Sequence, residues 1–538
     1  MTTTGSATSR QTATTAGRTG RQGALSGFLA AAAALVTAEI VGFLLPDHPS
    51  LLQGVGDRII TSVPDGVREG LIQLVGTLDK PLLLIGIVLV LLGGAAVLGA
   101  LSRDRPGQFR VAVIVVAVLA GSLSLGSSTS TIVGTVLIAG AGAVAGSCLY
   151  GRLMAAAGPV ADAVASDAVA VDTVAFEDEP ARTQLHRRSF LRAAALAAVG
   201  VAVGAAVVGE ARRALGNGIE AVRAAVVLPR PAISDPPVPA GANVVGIAPA
   251  ITPNADFYRV DTALYLPQVD TSSYTLSLGG LVAKPSSWSY AQLMAMPQVE
   301  RIVTLTCVSN GVGGDLVSNA RWQGVPLRAL LDLAGGPTST AEQVLGQSAD
   351  GFTAGFPLEL ALDGREPFVA FAMNGEPLPV EHGFPARLVV PGLYGYVSAT
   401  KWLTSITLTT LDDVGYWVGL GWSMDGRIIG ASRIDRPKHD DTVPAGSVVV
   451  AGRAWHQHVG VGGVQVQVDS EPWQDATLAD GMGTNAWRLW SYPWAAVSGQ
   501  HELKVRMIDP DGTVQSSLVR SVFPGASSGL DTISVTVA

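Results

Sequence analysis

The sequence predicts a multi-domain protein: an N-terminal bundle of five transmembrane helices, a mixed α+β domain and a C-terminal immunoglobulin-like β-sandwich. The first observation is composition, because 48% of the 538 residues are hydrophobic and only 14% are charged, which is typical of chains with membrane segments. The second is a mixture of short strand and helix patterns from about residue 246. The third is a series of alternating strands with Gly, Asp and Pro turns after about residue 433, without helical periodicity.

Five apolar runs define the N-terminal part, and the first four are about long enough to cross a bilayer. The fifth is rich in Ala and Gly and only weakly hydrophobic. We assign residues 26–150 to four transmembrane helices and residues 190–209 to a fifth. Residues 1–25 are rich in Thr, Ser, Gly and Arg, and we expect a disordered cytoplasmic tail. The runs are Gly27–Leu45, Pro81–Leu101, Val111–Leu125, Ile132–Leu149 and Ala193–Val208.

Arginines predict the orientation of these helices, because cytoplasmic loops carry an excess of Lys and Arg. Clusters lie in the tail, in the 102–110 loop and in the 151–189 linker. All three fall on one side if the N-terminus is cytoplasmic and five helices cross. The part that follows the fifth helix is then extracytoplasmic. Within the linker, "HRRSFLR", with Arg187 and Arg188, resembles a twin-arginine export signal, and an ordinary positively charged flank is the alternative.

The remaining chain divides at changes in composition. Residues 210–245 contain five prolines that favour extended backbone and predict a linker. Residues 246–432 form the mixed domain, in which "SYTLSLGG" alternates like a strand and "SYAQLMAMP" is typical of a short helix. Residues 433–538 form the predicted sandwich, with strands in segments such as "GSVVVAGRAW" and "DTISVTVA".

Cys307 is the first candidate functional residue, because the chain has only two cysteines and this one ends the alternating segment "RIVTLT". Two cysteines cannot form a disulfide framework. Three interpretations are open: a buried small apolar residue, a nucleophile that needs a base such as His382, or a metal ligand. The other cysteine, Cys148, ends the fourth apolar run, and we interpret it as a membrane residue.

Four segments follow one another along the chain: "TLTCVSN", "ARWQGVPLRALLDLAG", "MNGEPLPVEHGFPARLVVPGLYGY" and "KWLTSITL". Their order and spacing resemble those of the sulfite oxidase family of molybdenum enzymes. The resemblance covers roughly residues 246–538, and "NADFYRVDTAL" is similar to the family's opening cofactor loop. The C-terminal segments "GRAWHQHVGVGGVQVQVDSEPW" and "AWRLW" are similar to its dimerisation domain.

The resemblance implies a molybdenum–molybdopterin cofactor with Cys307 as the protein's metal ligand. A thiolate is a soft donor that suits a redox metal. The resemblance also implies that Arg387 and Lys401 meet the pterin phosphate. His382, and more weakly Ser398, match pterin-contacting positions. The opening loop contributes the remaining cofactor-binding residues Asn254, Phe257, Tyr258 and Arg259.

Departures from the family pattern concern the substrate. Gly311, Val312 and Gly313 stand where sulfite oxidases have arginines, and Leu420 and Trp422 occupy positions of the anion pocket. Sulfite is a dianion and needs charged donors once desolvated. We therefore expect a less charged substrate or an S-oxide or N-oxide, with sulfite as the alternative. The expected catalytic residues are Cys307, Trp422 and Arg259, the last as an anion contact.

The predicted membrane part provides no ligands for haem, because His48 and His186 are expected in loops. Electrons are then exchanged with an external carrier or a quinone-linked protein, and we expect no haem in this chain. Glu39 lies within the first run and is either a functional carboxylate or a group bonded to a neighbouring helix. The expected partners are a small-molecule substrate, the lipid bilayer and a second copy of the chain. The net charge of −8 without basic blocks disfavours nucleic acid.

Two other classes of function are compatible with the sequence. The first is a cell-surface binding protein that keeps the fold without the cofactor and uses Trp-rich segments such as "AWRLWSYPW" for recognition. The second is a Cys–His hydrolase. Cys307→Ser separates the first alternative from the oxidoreductase, because only the oxidoreductase should lose its activity. A thiol-directed acyl probe tests the hydrolase.

Overall fold

The computed structural model describes residues 5–45, 50–63, 79–125, 131–158 and 179–538. The chain divides into two compact units, Met1–Leu215 and Gly216–Ala538. Within the described residues, five helices are long and apolar enough to cross a membrane, which confirms the number of predicted spans.

The described residues of the first unit are mainly helical. Each predicted apolar run overlaps one long helix, and α2 is a further, shorter helix that the apolar pattern does not predict. The Ser50 side chain accepts a hydrogen bond from the backbone N–H of Gln53 and caps α2. The helices are α1 (Gly5–Phe43), α2 (Leu51–Ser62), α3 (Asp79–Leu101), α4 (Pro106–Ser124), α5 (Ile132–Ala157) and α6 (Glu179–Ala224).

The helices extend beyond several predicted boundaries. The prediction of a disordered tail over residues 1–25 is wrong from Gly5 onward, because α1 begins there, and residues 1–4 lie outside the described residues. The tail contains no proline, and adding a residue to an existing helix gains one hydrogen bond without a new nucleation step.

The predicted linkers are also partly helical. Arg187 and Arg188 lie within α6, and so does His186, so the expectation of a loop at His186 is wrong. His48 lies outside the described residues. The linker predicted over residues 210–245 is helical to Ala224, since Ala, Arg, Glu and Leu favour helix and the first proline comes at Pro229.

Small residues bring the helices of the first unit close together. A Cβ atom at Gly99 would lie 2.4 Å from the carbonyl oxygen of Gly23, so α1 and α3 pack backbone against backbone. The Tyr150 hydroxyl donates to the Gly99 carbonyl at 2.9 Å. Glu39 pairs with Arg212 of α6, which favours the interpretation of Glu39 as a group bonded to a neighbouring helix.

The second unit begins with a mixed sheet that carries the candidate site. Its order is β1-β4-β5-β8-β10, with β9 paired to β8. The pair β1–β4 is parallel, whereas β4–β5, β5–β8 and β8–β10 are antiparallel. Because β1 lies inside the predicted 210–245 linker, that linker is partly a strand. The strands are β1 (Ile233–Ser234), β4 (Val299–Thr306), β5 (Val317–Pro326), β8 (Phe368–Met373), β9 (Glu376–Pro377) and β10 (Arg387–Val389).

A second sheet, of order β3-β2-β11-β6-β7, completes the mixed domain. The predicted strand "SYTLSLGG" and helix "SYAQLMAMP" both form, and Ser289 with Gln292 makes a capping box at the start of the helix. The strands are β2 (Thr275–Gly280), β3 (Ser286–Ser289), β6 (Gln343–Ser348), β7 (Thr353–Pro357) and β11 (Leu403–Thr409). The short helices are α7 (Tyr290–Met294), α8 (Leu327–Leu333), α9 (Leu358–Leu362), α10 (Gly395–Ser398) and α11 (Tyr416–Gly419).

The C-terminal part consists of two mainly antiparallel sheets that pack around one apolar core. Their orders are β12-β14-β18-β17 and β13-β20-β19-β15-β16. Val450, Trp490 and Leu503 are fully buried in that core. Strands form in the predicted segments, and the immunoglobulin-like topology stays a prediction. The strands are β12 (Ala431–Arg436), β13 (Thr442–Val443), β14 (Gly446–Trp455), β15 (Gly463–Val468), β16 (Gln474–Asp475), β17 (Thr477–Leu478), β18 (Arg488–Ala496), β19 (Gly499–Ile508) and β20 (Asp531–Val537).

Candidate functional site

Cys307 follows directly after β4 and is buried, with 8% of its surface exposed. Its N–H donates to the Leu316 carbonyl at 2.9 Å, and the Asn310 side chain accepts from the Leu316 N–H at 2.9 Å. These bonds close the loop that follows the cysteine. Burial raises the pKa of the Cys307 thiol, although hydrogen bonds from Ser309 oppose the shift. A raised pKa is the opposite of what an activated nucleophile needs, whereas metal coordination would deprotonate the thiol.

The opening loop contributes aromatic rings next to Cys307. Phe257 packs edge-on against Trp322, with ring centres 5.5 Å apart, and edge-on against His382 at 5.4 Å. The Tyr258 ring stacks on Phe257 at 5.4 Å. Burial raises the pKa of Tyr258, and the neighbouring Cys307 raises it further, so this phenol stays protonated.

His382 is buried and connects the opening loop to the region before β10. Its Nε2 lies 3.1 Å from the main-chain carbonyl oxygen of Asn254. A carbonyl only accepts, so Nε2 carries the proton and Nδ1 is left as an acceptor. Burial lowers the pKa of His382 to about 3, and the charges of Arg387 and Lys401 contribute to the shift. The imidazole is therefore neutral near pH 7.

Arg387 begins β10 and is 4% exposed. Its Nη1 donates to the His382 carbonyl at 3.1 Å, and its guanidinium lies over the Trp322 ring. Among the described residues, no carboxylate pairs with Arg387. Burial lowers the pKa of Arg387 to about 10, so it remains a cation at neutral pH. A buried cation without an acidic partner is costly unless an anion meets it.

Lys401 and Arg259 share one carboxylate, that of Asp261. The Lys401 ammonium donates to Asp261 Oδ2 at 2.8 Å, and Arg259 Nε donates to the same oxygen at 3.0 Å. Burial lowers the pKa of Lys401 to about 8, although Asp261 opposes the shift. Together with Arg387, the cluster has two more positive than negative charges near neutral pH. That charge balance fits a phosphate-bearing ligand.

The two remaining predicted residues lie in different surroundings. The Ser398 hydroxyl, at the end of α10, donates at 2.9 Å to the carbonyl of Tyr394, the residue just before this helix. Trp422 is buried among aromatic rings, with ring centres 5.9 Å from Tyr396 and 5.4 Å from Phe523. The Trp422 indole N–H is buried and has no hydrogen-bond partner. An unsatisfied buried donor is uncommon and calls for a ligand or a functional explanation.

The structure thus brings Cys307, Tyr258, His382, Arg387 and Lys401 into one region of the mixed domain. Arg259 joins it through Asp261, although its side chain is 40% exposed. Asp261 was not among the predicted site residues. Its position two residues after Arg259, in the predicted cofactor loop, is the feature of the sequence that could have indicated it. Sequence reasoning also missed the contacts that the C-terminal part makes with the loop after Cys307. These come from residues more than 100 positions away in the chain, such as Ser527.

Comparisons with known proteins concern mainly the mixed domain. Residues 263–417 match the family described as "Oxidoreductase molybdopterin binding domain". Human mitochondrial sulfite oxidase is 30% identical over 325 residues, which cover 51% of this chain and 58% of the human protein. The uncharacterized oxidoreductase YuiH of Bacillus subtilis is 36% identical over 157 residues, which cover 29% of this chain and 76% of YuiH.

Among solved structures, the sulfane dehydrogenase SoxCD from Paracoccus pantotrophus is similar over 53% of this chain and 81% of that chain, with 23% identity and a TM-score of 0.46. This chain spans 58% of the length of the mammalian sulfite oxidases that it matches. The matched domain and the 36% identity to YuiH over most of that protein identify the family. The chain belongs to the sulfite oxidase family of molybdopterin-dependent oxidoreductases.

Proposed function

We propose that this protein is a membrane-anchored, extracytoplasmic molybdopterin-dependent oxidoreductase that transfers an oxygen atom and two electrons to or from a small substrate. One observation carries the proposal. A buried thiol at the end of β4 lies in the same region as a cluster of buried cations that no described carboxylate neutralises fully. This combination suits a cofactor with a soft metal and an anionic tail.

The side chains of the site fit such a cofactor. Cys307 would hold the metal as a thiolate, and Arg387 and Lys401 would meet the phosphate. The unused Nδ1 of His382 is a hydrogen-bond acceptor, fixed because Nε2 is committed to Asn254. When bound, the molybdenum centre supplies the two-electron oxygen-atom chemistry. The protein's own contribution is to orient the substrate, to exclude water and to keep Tyr258 protonated as a donor.

The proposed substrate class is supported by uncharged residues at positions where sulfite oxidases carry charged side chains. Val312 is 42% exposed on the loop after Cys307, and Leu420 is 39% exposed next to Trp422. Neither side chain stabilises a desolvated dianion. An S-oxide or N-oxide is neutral overall and needs only a hydrogen-bond donor at its oxygen, and we assign that role to the buried, unpaired indole N–H of Trp422.

The membrane part supports anchoring and an external electron partner. The five candidate spans carry exposed leucines, isoleucines and valines, as expected of helices that face lipid. The arginine distribution favours a cytoplasmic N-terminus and an extracytoplasmic catalytic domain, and Arg187 with Arg188 would then belong to the export signal. We further propose that the electrons come from a separate carrier or a quinone-linked protein. A homodimer through the C-terminal sandwich is part of this proposal.

Substrate assays of the purified protein test the proposal. The protein is produced in a host that makes the molybdenum cofactor and is mixed with reduced methyl viologen and an S-oxide or N-oxide. Oxidation of the dye that depends on the oxide, with release of the thioether or amine, is the expected result. Sulfite oxidation with ferricyanide, without any oxide reduction, would contradict the proposed substrate class. A Cys307→Ser variant that keeps the activity of the wild-type protein would contradict the proposed role of the thiol.

A further inference from the structure

We propose that the C-terminal sandwich positions Cys307 by holding the chain on both sides of it; this inference rests on the proposed role of Cys307 as metal ligand. The first contact is at the end of β4. On one edge, β4 pairs with β5 along its length, but on the other edge β1 covers only Val299 and Glu300. A strand edge left unpaired exposes N–H and C=O groups that need other partners.

The sandwich provides those partners at Thr304. The Thr304 N–H donates to the Asn485 carbonyl at 3.0 Å, and the Thr304 carbonyl accepts from Gln457 Nε2 at 3.0 Å. The Thr304 hydroxyl accepts from the Trp487 N–H at 2.7 Å. Gln457 Nε2 also donates to the hydroxyl of Thr306, the residue immediately before Cys307, at 2.8 Å. Gln457 is 2% exposed, so water does not compete for these bonds.

The second contact is on the loop after Cys307. The Ser527 hydroxyl, in the 509–530 connection between β19 and β20, donates to the Asn310 carbonyl at 2.6 Å. Arg433 of β12 donates to the Gly314 carbonyl at 2.5 Å. Gly313 has a φ of +73°, and a Cβ there would lie 2.5 Å from a carboxylate oxygen of Asp531. The loop is therefore packed tightly against the sandwich.

These two contacts flank the thiol on both sides, and the residues that make them belong to β12, to the turn after β14 and to the connections before β18 and β20. The mixed domain alone fixes Cys307 through the bond from its N–H to Leu316 and through Asn310. The sandwich fixes the strand end and the loop apex. The direction of the Cys307 Cα–Cβ bond depends on both, so Gln457 and Ser527 are positioning residues for the metal ligand.

Matched pairs of variants test the proposal in the full chain. Ser527→Ala removes the bond to Asn310, whereas Ser528→Ala removes a hydroxyl that donates to Leu518, within the same connection. Gln457→Met removes the bonds to Thr304 and Thr306. Its control is Gln343→Met, another buried glutamine, whose amide donates to the carbonyls of Thr410 and Asp413.

The first readout does not need the cofactor. The full chain with Cys148→Ala is produced in a host without molybdenum-cofactor synthesis, and the rate of Cys307 alkylation by iodoacetamide is measured by mass spectrometry. We expect Ser527→Ala to raise the rate about fivefold, which is the effect of one lost hydrogen bond on a local opening equilibrium. Gln457→Met loses two hydrogen bonds and should raise the rate at least as much. Equal rates within both matched pairs would overturn the proposal.

The second readout is the electron paramagnetic resonance spectrum of pentavalent molybdenum in the assembled protein. We expect shifted g-values in Ser527→Ala and unchanged g-values in Ser528→Ala, at equal molybdenum content. Identical spectra would overturn the positioning role. Absence of molybdenum from the wild-type protein would instead reject the proposed function, and the alkylation rates would still decide whether the sandwich holds the loop.

Discussion

The guanidinium carbon of Arg387 lies 4.9 Å from the ring centre of Trp322, and both side chains are almost completely buried. Trp322 donates its indole N–H to the Val303 carbonyl at 3.1 Å, which fixes the ring beneath the cation. A cation over an aromatic face gains about 1–2 kcal/mol when desolvated. That gain is smaller than the cost of burying a charge without a carboxylate. Burial of Arg387 is therefore unfavourable for folding, and we attribute its place in the site to the proposed anionic ligand.

Replacing Arg387 separates stability from ligand binding. In Arg387→Met, we expect the cofactor-free protein to be as stable as the wild type or more stable, because a buried charge is removed and volume is kept. The content of bound molybdenum and pterin should fall by about tenfold or more, since one charge-assisted contact is lost. Urea unfolding in detergent and cofactor analysis measure the two effects.

The control for this prediction is Arg365→Met. Arg365 is also buried, but it pairs with Asp363 at 2.6 Å and donates to the Pro391 carbonyl. Its loss should destabilise the protein by about 2 kcal/mol, because Asp363 loses its partner. A destabilised Arg387→Met variant that keeps its full cofactor content would contradict the role of Arg387.

Gly383 keeps two cationic side chains in place. Its φ is +110°, and a Cβ there would lie 3.1 Å from Arg387 Cβ and 3.1 Å from Lys401 Cα. Gly375 also has a positive φ, of +82°, but a Cβ there would meet no atom within 4 Å. Gly375→Ala should cost about 1 kcal/mol of backbone strain. Gly383→Ala should cost more and should also lower the cofactor content, which metal analysis of both variants measures. Equal cofactor content in the two variants would contradict this account.

The buried His382 predicts loss of stability in acid. Its pKa is about 3 in the folded protein, against a usual value near 6.5, because of burial and the neighbouring cations. Between these values the unfolded chain binds a proton that the folded protein does not bind. The free energy of unfolding therefore falls as pH falls through this window, by at most about 1.4 kcal/mol per pH unit. We expect His382→Gln to flatten this dependence in the cofactor-free protein, as measured by urea unfolding from about pH 7 to about pH 5.

The control is His501→Gln, where the expected sign is opposite. A hydrogen bond from His501 to Asp469 raises the pKa of this partly buried histidine. Its contribution to stability is present below its unfolded pKa and is lost as pH rises through the folded value. His501→Gln should therefore steepen the loss of stability in acid. A dependence in His382→Gln as steep as in the wild type would contradict the assignment of a buried neutral imidazole.

The unpaired indole N–H of Trp422 predicts a defect in catalysis without a defect in folding. Trp422→Phe keeps an aromatic ring next to Tyr396 and Phe523 and removes a buried donor that has no partner. We expect unchanged molybdenum content, a stability equal to that of the wild type or higher by about 1 kcal/mol, and a kcat/KM for oxides about tenfold lower.

Trp490→Phe is the matched control for this variant. Trp490 is fully buried in the C-terminal sandwich, and its indole N–H also has no partner. Its replacement should affect stability in the same way and leave kcat/KM unchanged. Equal kcat/KM values in Trp422→Phe and the wild type would exclude the indole as a substrate contact.

The position of Cys307 shows how much of the site the sequence predicts. Alternation in "RIVTLT" predicts a strand that ends before the cysteine, and β4 ends at Thr306. Long apolar runs predict the five candidate spans in the same direct way, because the hydrophobic effect acts on each segment separately. Helix ends are harder to predict: α1 and α6 continue into polar residues because nothing in those segments stops them.

Contacts between distant segments could not be predicted from local patterns. Asp261 is one of 43 acidic residues in the sequence, and only the fold brings it to Lys401, 140 residues later. Likewise, the hydrogen bond from Ser527 to Asn310 joins residues 217 positions apart. The pattern of apolar and polar residues in the sequence does not indicate this contact. Such contacts depend on sheet order and on how the two domains pack, which one sequence alone does not determine.

The most direct test of the central claim is molybdenum and pterin analysis of the purified wild-type protein beside Cys307→Ser, combined with X-ray absorption at the molybdenum edge. We expect equimolar molybdenum and pterin in the wild type, and a serine variant that lacks one molybdenum–sulfur bond and has lost oxide reduction. A well-folded wild-type protein without molybdenum, from a host that makes the cofactor, would contradict the account and would favour a binding protein that has kept only the fold.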